Sequence, residues 1–255
     1  KFKINIYRKF MIIQKIDSCT PFPHDFPYEE IYAERIPLLH IFRSAVADLY
    51  SNRGGKNYLS VSLRNFASLL LSSPNYFAVE CGVYMGHSLI ACAQIAKMYG
   101  LPIHFYGLDT FSGLPELSEI DKLYASQNVL KKSDLLFADT SINQVKNRVK
   151  EQKLSKYITL IPGLFRDTLN QLPDHKYFFV NIDCDLYEPH LECLEFFYPR
   201  IERGGIIFFD DYHSVEFTMA RKAIDEFMEG RPEQLFHLRF GKEGTNLTKA
   251  FIVKY

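Results

Sequence analysis

The stretch Tyr76-Phe-Ala-Val-Glu80-Cys-Gly82-Val-Tyr84-Met-Gly86-His-Ser88 decides the fold. Tyr76–Cys81 is a short apolar run of β-forming residues. Two glycines punctuate the turn that follows, and a helical pattern runs from His87 to Met98. A buried strand passing through a glycine turn into a helix is the opening unit of a parallel sheet covered by helices. Glycines at such a turn let a ligand approach the backbone, and the helix start offers unpaired N–H groups. A tight turn without a ligand accounts for the spacing equally well.

The alternation recurs downstream. Ile103–Leu108, Tyr157–Ile161, Tyr177–Ile182 and Ile206–Phe209 read as strands, with helical candidates at Thr140–Lys153, Glu188–Ile201 and Glu216–Met228. The last two runs, Gln234–Arg239 and Ala250–Lys254, leave no room for a helix between them. The intervening Gly241-Lys-Glu-Gly244 reads as a hairpin loop, so the sheet ends antiparallel. Upstream, after Pro21, Pro23 and Pro27, the residues Ile31, Ile36, Leu39, Phe42, Val46 and Leu49 recur at helical spacing, and a second helix is expected over Ser62–Leu71. The expected architecture is a doubly wound, mostly parallel, seven-stranded α/β domain of Rossmann-like type over residues 74–255. It carries a C-terminal antiparallel hairpin and a helical N-terminal extension or cap over residues 1–73.

Composition narrows the function. The 30 Lys+Arg residues balance 30 Asp+Glu, which excludes an electrostatic grip on nucleic acid as the main activity. With 47% hydrophobic residues the chain is not disordered. No run of about 18 apolar residues spans a membrane, and Lys1–Lys15 makes a poor signal peptide because Arg8 and Lys9 interrupt it. Cys19, Cys81, Cys92, Cys184 and Cys193 are odd in number and form no CxxC pair. They read as buried free thiols, and the expected location is the cytoplasm.

In a sheet of this kind ligands bind beyond the carboxyl ends of the strands. After the second strand comes Leu108-Asp109-Thr110-Phe111-Ser-Gly-Leu-Pro115, with Asp109 placed 27 residues beyond Gly82 (109 − 82) to accept hydrogen bonds from ribose hydroxyls. Its alternative role is to cap a turn. After the third strand, Gly163 and Phe165 are placed to wrap an adenine ring, although a core Phe is as ordinary. Asp167 reads as the N-cap of a short helix. The fourth strand ends Asn181-Ile-Asp183-Cys-Asp185-Leu-Tyr187 and the fifth Phe208-Phe-Asp210-Asp211-Tyr-His213. Carboxylates at neighbouring strand tips repel unless protonated or neutralised by a cation. An oxygen-rich anionic cluster suits a hard divalent ion such as Mg2+. Zinc is disfavoured because Cys184 alternates away from its flanking acids. Taken alone, Asp185 reads as the cap of the helix near Glu188, and Asp210-Asp211 as turn acids. Both pairs beside a nucleoside-type pocket favour the metal.

These blocks, together with Gly163-Leu-Phe-Arg-Asp-Thr-Leu169, Tyr198-Pro, Gly204-Gly and Ala220-Arg-Lys-Ala-Ile-Asp225, resemble the macrocin O-methyltransferase (TylF/MycF-like) family over roughly residues 58–230. The resemblance implies an S-adenosylmethionine-dependent, Mg2+-dependent O-methyltransferase of the class I fold. Its acceptor would be a hydroxyl on a sugar or glycosylated small molecule, and homo-oligomerisation stays open. Carried over by motif, Glu80, Gly82 and Gly86 would line the methionine part of the cofactor and Asp109 would hold the ribose, with Tyr84, Ser88, Thr110 and Phe111 also among the cofactor-binding residues. Gly163, Phe165 and Asp183 complete the pocket. Asp183, Asp210 and Asp211 are the metal ligands, Asp183 also being a catalytic residue. The 27-residue step from Asp183 to Asp210 (210 − 183) resembles that of other metal-dependent O-methyltransferases, and this resemblance implies Asp183 rather than Asp185 as first ligand. Family members can carry a histidine as base in the segment after the second strand. Lys122–Asp139 has none, which leaves the general base open, with His213 as candidate. Ser112–Asp139 reads as a lid.

Three other classes compete. Asp183-Cys-Asp185 is also a D-x-D that suits a metal-dependent glycosyltransferase, but that reading leaves Gly82, Gly86 and Asp109 unexplained. A Rossmann oxidoreductase lacks its third glycine here. A non-catalytic cofactor-binding protein would not need intact acids at all three metal positions.

Overall fold

The apolar run Tyr76–Cys81 forms β1, the centre of a seven-stranded sheet ordered β3-β2-β1-β4-β5-β7-β6. The computed structural model describes Leu38, Phe42 and residues 76–98, 102–240 and 247–254. Along the chain β1 is followed by α1 (His87–Met98), β2 (Ile103–Asp109), α2 (Glu119–Tyr124), α3 (Gln127–Lys132), α4 (Ile142–Glu151) and β3 (Ile158–Pro162). Then come α5 (Phe165–Thr168), β4 (Tyr177–Ile182), α6 (Tyr187–Phe197), β5 (Ile201–Phe209), α7 (Thr218–Met228), β6 (Phe236–Phe240) and β7 (Leu247–Val253). The first five strands are parallel, while β7 runs antiparallel to both β5 and β6. The strand order reverses between β1 and β4, so the carboxyl ends of these two strands open the crevice where ligands sit in such sheets.

Period-two alternation sends successive strand residues into two cores. Ala78, Phe105, Phe179, Phe208 and Phe251 pack in one cluster with Leu89 and Ile90 of α1 and Val145 of α4. Val79, Leu108, Val180, Ile182 and Phe209 pack in the other with Leu194 and Phe197 of α6 and Ile224 and Phe227 of α7. Every residue of β4 is buried, as a central strand covered on both faces requires. Each buried Phe or Ile stabilises the fold by roughly 1.5–3 kcal/mol relative to exposure. Leu38 and Phe42 are both helical and buried, and the Phe42 ring meets Phe105, Phe178 and Phe179 at centroid distances of 5.6, 6.1 and 5.0 Å. The remainder of the expected N-terminal helices, the Gly241–Gly244 loop and Cys19 lie outside the described residues.

Three local expectations are corrected. The helix α6, expected over Glu188–Ile201, stops at Phe197 because Pro199 has no N–H to extend it. β5 therefore begins at Ile201 and takes in Glu202-Arg-Gly-Gly205, a polar stretch without an apolar signature. Asp167 lies inside α5, whose N-cap position is Leu164. Asp185 does not hold the N-cap position of α6, which Leu186 takes without a side-chain cap bond.

The segment between β2 and α4 folds over the strand tips. Ser118 and Asp121 close α2 with a reciprocal capping box, and Ser126 caps α3. Leu117 and Val129 of this segment pack against Leu186, Phe217 and Met219 in a third apolar cluster. Ala125 pairs across a β-bridge with Phe217.

Candidate functional site

The turn after β1 is held in a conformation that glycine makes accessible. Gly82 has φ +92, and a Cβ there would lie 1.6 Å from the Asp183 carbonyl oxygen. The two strand tips thus touch backbone to backbone, with the Asp183 N–H donating to the Cys81 carbonyl at 2.8 Å. Tyr84 also takes a positive φ of 48, and its hydroxyl donates to Asp139 at 2.7 Å. Gly86 at φ +84 lies against Val145, where a Cβ would come within 2.9 Å.

Asp109 fastens this turn. Its Oδ2 accepts from the Val83 and Tyr84 N–H groups, both at 2.7 Å, and its Oδ1 accepts from the Phe111 N–H at 2.6 Å. The carboxylate thus caps the turn, and Asp109 also lines the cavity. Thr110 donates to the Gly113 carbonyl at 2.6 Å and sets the start of the lid segment.

A cleft of about 980 Å³, counted with its open mouth, lies above the carboxyl ends of β1, β2, β3 and β4. That size suits a nucleoside-bearing cofactor. Gly82, Tyr84, Asp109, Thr110, Gly163, Phe165, Asp183 and Asp185 line it from the sheet side. Leu114, Pro115, Glu116, Asp121 and Phe137 line it from the lid. Glu80, Gly86, Ser88 and Phe111 stand behind this wall. The buried Glu80 Oε1 accepts from the Ser88 hydroxyl at 2.5 Å and from the Asn181 amide at 2.8 Å, tying α1 and β4 beneath the turn.

Asp183, Asp210 and Asp211 converge. One carboxylate oxygen of each lies within 4.8 Å of those of the other two. The Asp211 Oδ2 accepts from the Asp185 N–H at 3.0 Å. His190, fully buried, shares its Nδ1 with the Leu186 carbonyl at 2.8 Å, while Nε2 stands 4.0 Å from Asp211. Burial lowers the His190 pKa to about 4, so the ring is neutral at pH 7. Oxygen donors at this spacing suit a hard divalent cation. Cys184, pushed up to about 12 chiefly by burial, is a protonated thiol with no part in a thiolate site.

Two features were absent from the sequence reading. The Nζ of Lys249 on β7 lies 2.5 Å from Asp210 Oδ2, and the Ala250–Phe209 register places Lys249 opposite Asp210. Burial opposes the charge on Lys249, but attraction to Asp210, Asp183 and Asp211 outweighs it and raises its pKa. The expected strand began at Ala250, three residues after the observed start at Leu247, so Lys249 next to the aspartates was overlooked. The second is Asp121, which lines the cleft and whose Oδ1 accepts from the Tyr187 N–H at 2.9 Å, supplying from the lid the cap that α6 lacks. His213 is exposed, and its Nε2 lies 3.1 Å from His237 Nδ1. It is not part of the cleft wall.

A family profile described as macrocin-O-methyltransferase (TylF) matches residues 76–235. The 8-demethyl-8-(2,3-dimethoxy-alpha-L-rhamnosyl)-tetracenomycin-C 4'-O-methyltransferase of Streptomyces olivaceus is 29% identical over 136 residues, 52% of this chain and 52% of that protein. The mycinamicin III 3''-O-methyltransferase of Micromonospora griseorubida is 27% identical over 154 residues, 59% of each chain. The matched part is thus between half and three fifths of the length of these relatives. Among solved structures, the O-methyltransferase NovP superposes with a TM-score of 0.65 at 21% identity, covering 86% of this chain and 80% of that one. The calicheamicin methyltransferase CalS11 gives 0.57 at 19% identity, covering 84% and 91%. These two likenesses establish the fold.

Proposed function

The chain belongs to the macrocin-O-methyltransferase (TylF) family and has the class I S-adenosylmethionine-dependent methyltransferase fold, and from that premise we propose that it methylates a hydroxyl of a sugar or glycosylated small molecule. S-Adenosylmethionine is the donor, and a divalent cation such as Mg2+ belongs at Asp183, Asp210 and Asp211. The observation that carries the reading is the double membership of Asp183: it lines the glycine-turn cleft and belongs to the acid cluster. On this reading donor and activated acceptor would meet beside Asp183. The sugar O-methyltransferase names of the sequence relatives support the acceptor class.

The residues fit the cofactor. The missing Cβ at Gly82 keeps the β1 and β4 tips close, and Gly163, at φ +138, opens the wall beside Phe165 where an adenine ring would lie. Asp109, clamped by three backbone N–H groups, holds its carboxylate at a fixed place for ribose hydroxyls. When bound, the cofactor supplies an electrophilic methyl group, and the cation lowers the pKa of an acceptor hydroxyl and orients it. The chain's own task is then to hold that oxygen in line and take its proton. His213 faces His237, whereas Asp185 is on the cleft wall, so the Asp185 carboxylate is the better-placed proton acceptor. The lid residues Leu114, Pro115 and Phe137 exclude water from the wall they cover. We place residues 1–73 as the cap of this methyltransferase domain.

The test combines calorimetric binding of S-adenosylhomocysteine with transfer of labelled methyl groups to a panel of glycosides, with and without EDTA. Asp183→Ala and Asp210→Ala should abolish transfer, and Asp109→Ala should weaken nucleoside binding. Full transfer in the chelated protein would overturn the metal role, and absence of nucleoside binding would overturn the whole reading. UDP-sugars, the ligands of a D-x-D glycosyltransferase, should leave the melting temperature unchanged where S-adenosylhomocysteine raises it.

A further inference from the structure

The aspartate cluster holds a cation of the chain's own. β7 runs antiparallel to β5, and the Ala250–Phe209 pair brings Lys249 opposite Asp210, the first residue past the strand. Its Nζ lies 2.5 Å from Asp210 Oδ2, with the two side chains only 12% and 9% exposed. A divalent ion such as Mg2+ must approach a carboxylate oxygen to about 2.0–2.1 Å, so an ammonium on Oδ2 and an ion on the same carboxylate stand close enough to repel each other and divide its charge. A buried ion pair of this kind resists separation, since parting it leaves an uncompensated charge in a low-dielectric site.

We propose that Lys249 is the built-in counter-cation of the Asp183/Asp210/Asp211 cluster and, by competing with the divalent ion, sets the affinity with which the cluster takes that ion. The inference rests on the metal reading above and adds a residue to it. Lys249 is a positioning residue: it touches a ligand of the ion and neither donor nor acceptor. In the metal-free protein its single positive charge offsets one of three carboxylates and keeps the strand tips from splaying. In the loaded protein it repels the ion, either by withdrawing from Asp210 or by sharing that carboxylate. The ion is thus held loosely enough to exchange.

The experiment uses the full chain and Mn2+ as the probe, with free ion read by electron paramagnetic resonance and melting temperature measured with and without Mn2+. Lys249→Met, which keeps the length and loses the charge, should bind Mn2+ roughly tenfold more tightly or better. Its melting temperature should fall without the ion and rise more on adding it than the wild type's does. Lys249→Arg, which keeps the charge, should bind as the wild type does. Lys249→Gln carries the same expectation as the Met variant should that protein fold poorly. Equal or weaker Mn2+ binding in the uncharged variants, with S-adenosylhomocysteine binding retained, would overturn the proposal while leaving the metal reading in place. Absence of Mn2+ binding in every protein, with nucleoside binding intact, would overturn both.

Discussion

At the scale of the residue, close approach and burial set the chemistry. Gly82 is where the β1 and β4 tips meet, and any side chain there would push against the Asp183 backbone. Gly82→Ala should lower stability by about 2 kcal/mol or more, the left-handed conformation alone costing roughly 1–2 kcal/mol. It should also abolish binding of S-adenosylhomocysteine, as differential scanning fluorimetry and calorimetry would show. His190 predicts a pH dependence. Burial holds its folded pKa near 4 against an ordinary 6.5, so the folded state disfavours the imidazolium. Stability is therefore full above pH 6.5 and is lost as the pH falls from 6.5 towards 4, by on the order of 3 kcal/mol. Denaturant titrations at pH 7 and pH 4.5 should show this loss, and His190→Gln should remove part of the slope. Metal-free protein is the form to measure, since ion binding at Asp211 adds its own pH dependence.

At the scale of the element, the lid is fastened by hydrogen bonds that also complete a helix. α6 opens at Tyr187 without a cap of its own, and Asp121 on α2 supplies it while closing the capping box with Ser118. Thr218 adds a bond to the Tyr124 carbonyl at 2.5 Å, and the Ser126 N–H donates to the Glu216 carbonyl at 3.0 Å. Asp121→Ala should lower stability by about 1–2 kcal/mol, a little over one cap. Hydrogen exchange should lose protection across residues 113–139 and at the start of α6, and the KM for the acceptor should rise. Unchanged exchange in the lid would show that the apolar cluster of Leu117, Val129 and Phe217 holds it alone.

At the scale of the whole molecule, the two cores seal the described thiols. Cys81, Cys92, Cys184 and Cys193 are buried and unpaired, and burial raises the pKa of each. None of the four should react with Ellman's reagent in the folded protein, and all should react together on unfolding. The alternation of strands and helices, the antiparallel ending and the acids at two strand tips were legible because each rests on a local pattern: short apolar runs, glycine turns and helical spacing. What could not be read locally were polar segments whose role depends on a distant partner. Glu202–Gly205 lies within β5 although it bulges out of the register with β4, Gly204 and Gly205 being tied instead to the Lys254 backbone. Asp121 caps a helix 66 residues away, and Lys249 reaches Asp210 across an antiparallel register. Local pattern decided which faces are apolar and hence the layers. Tertiary packing alone decided which charges meet, because electrostatic pairing depends on distance in space rather than along the chain.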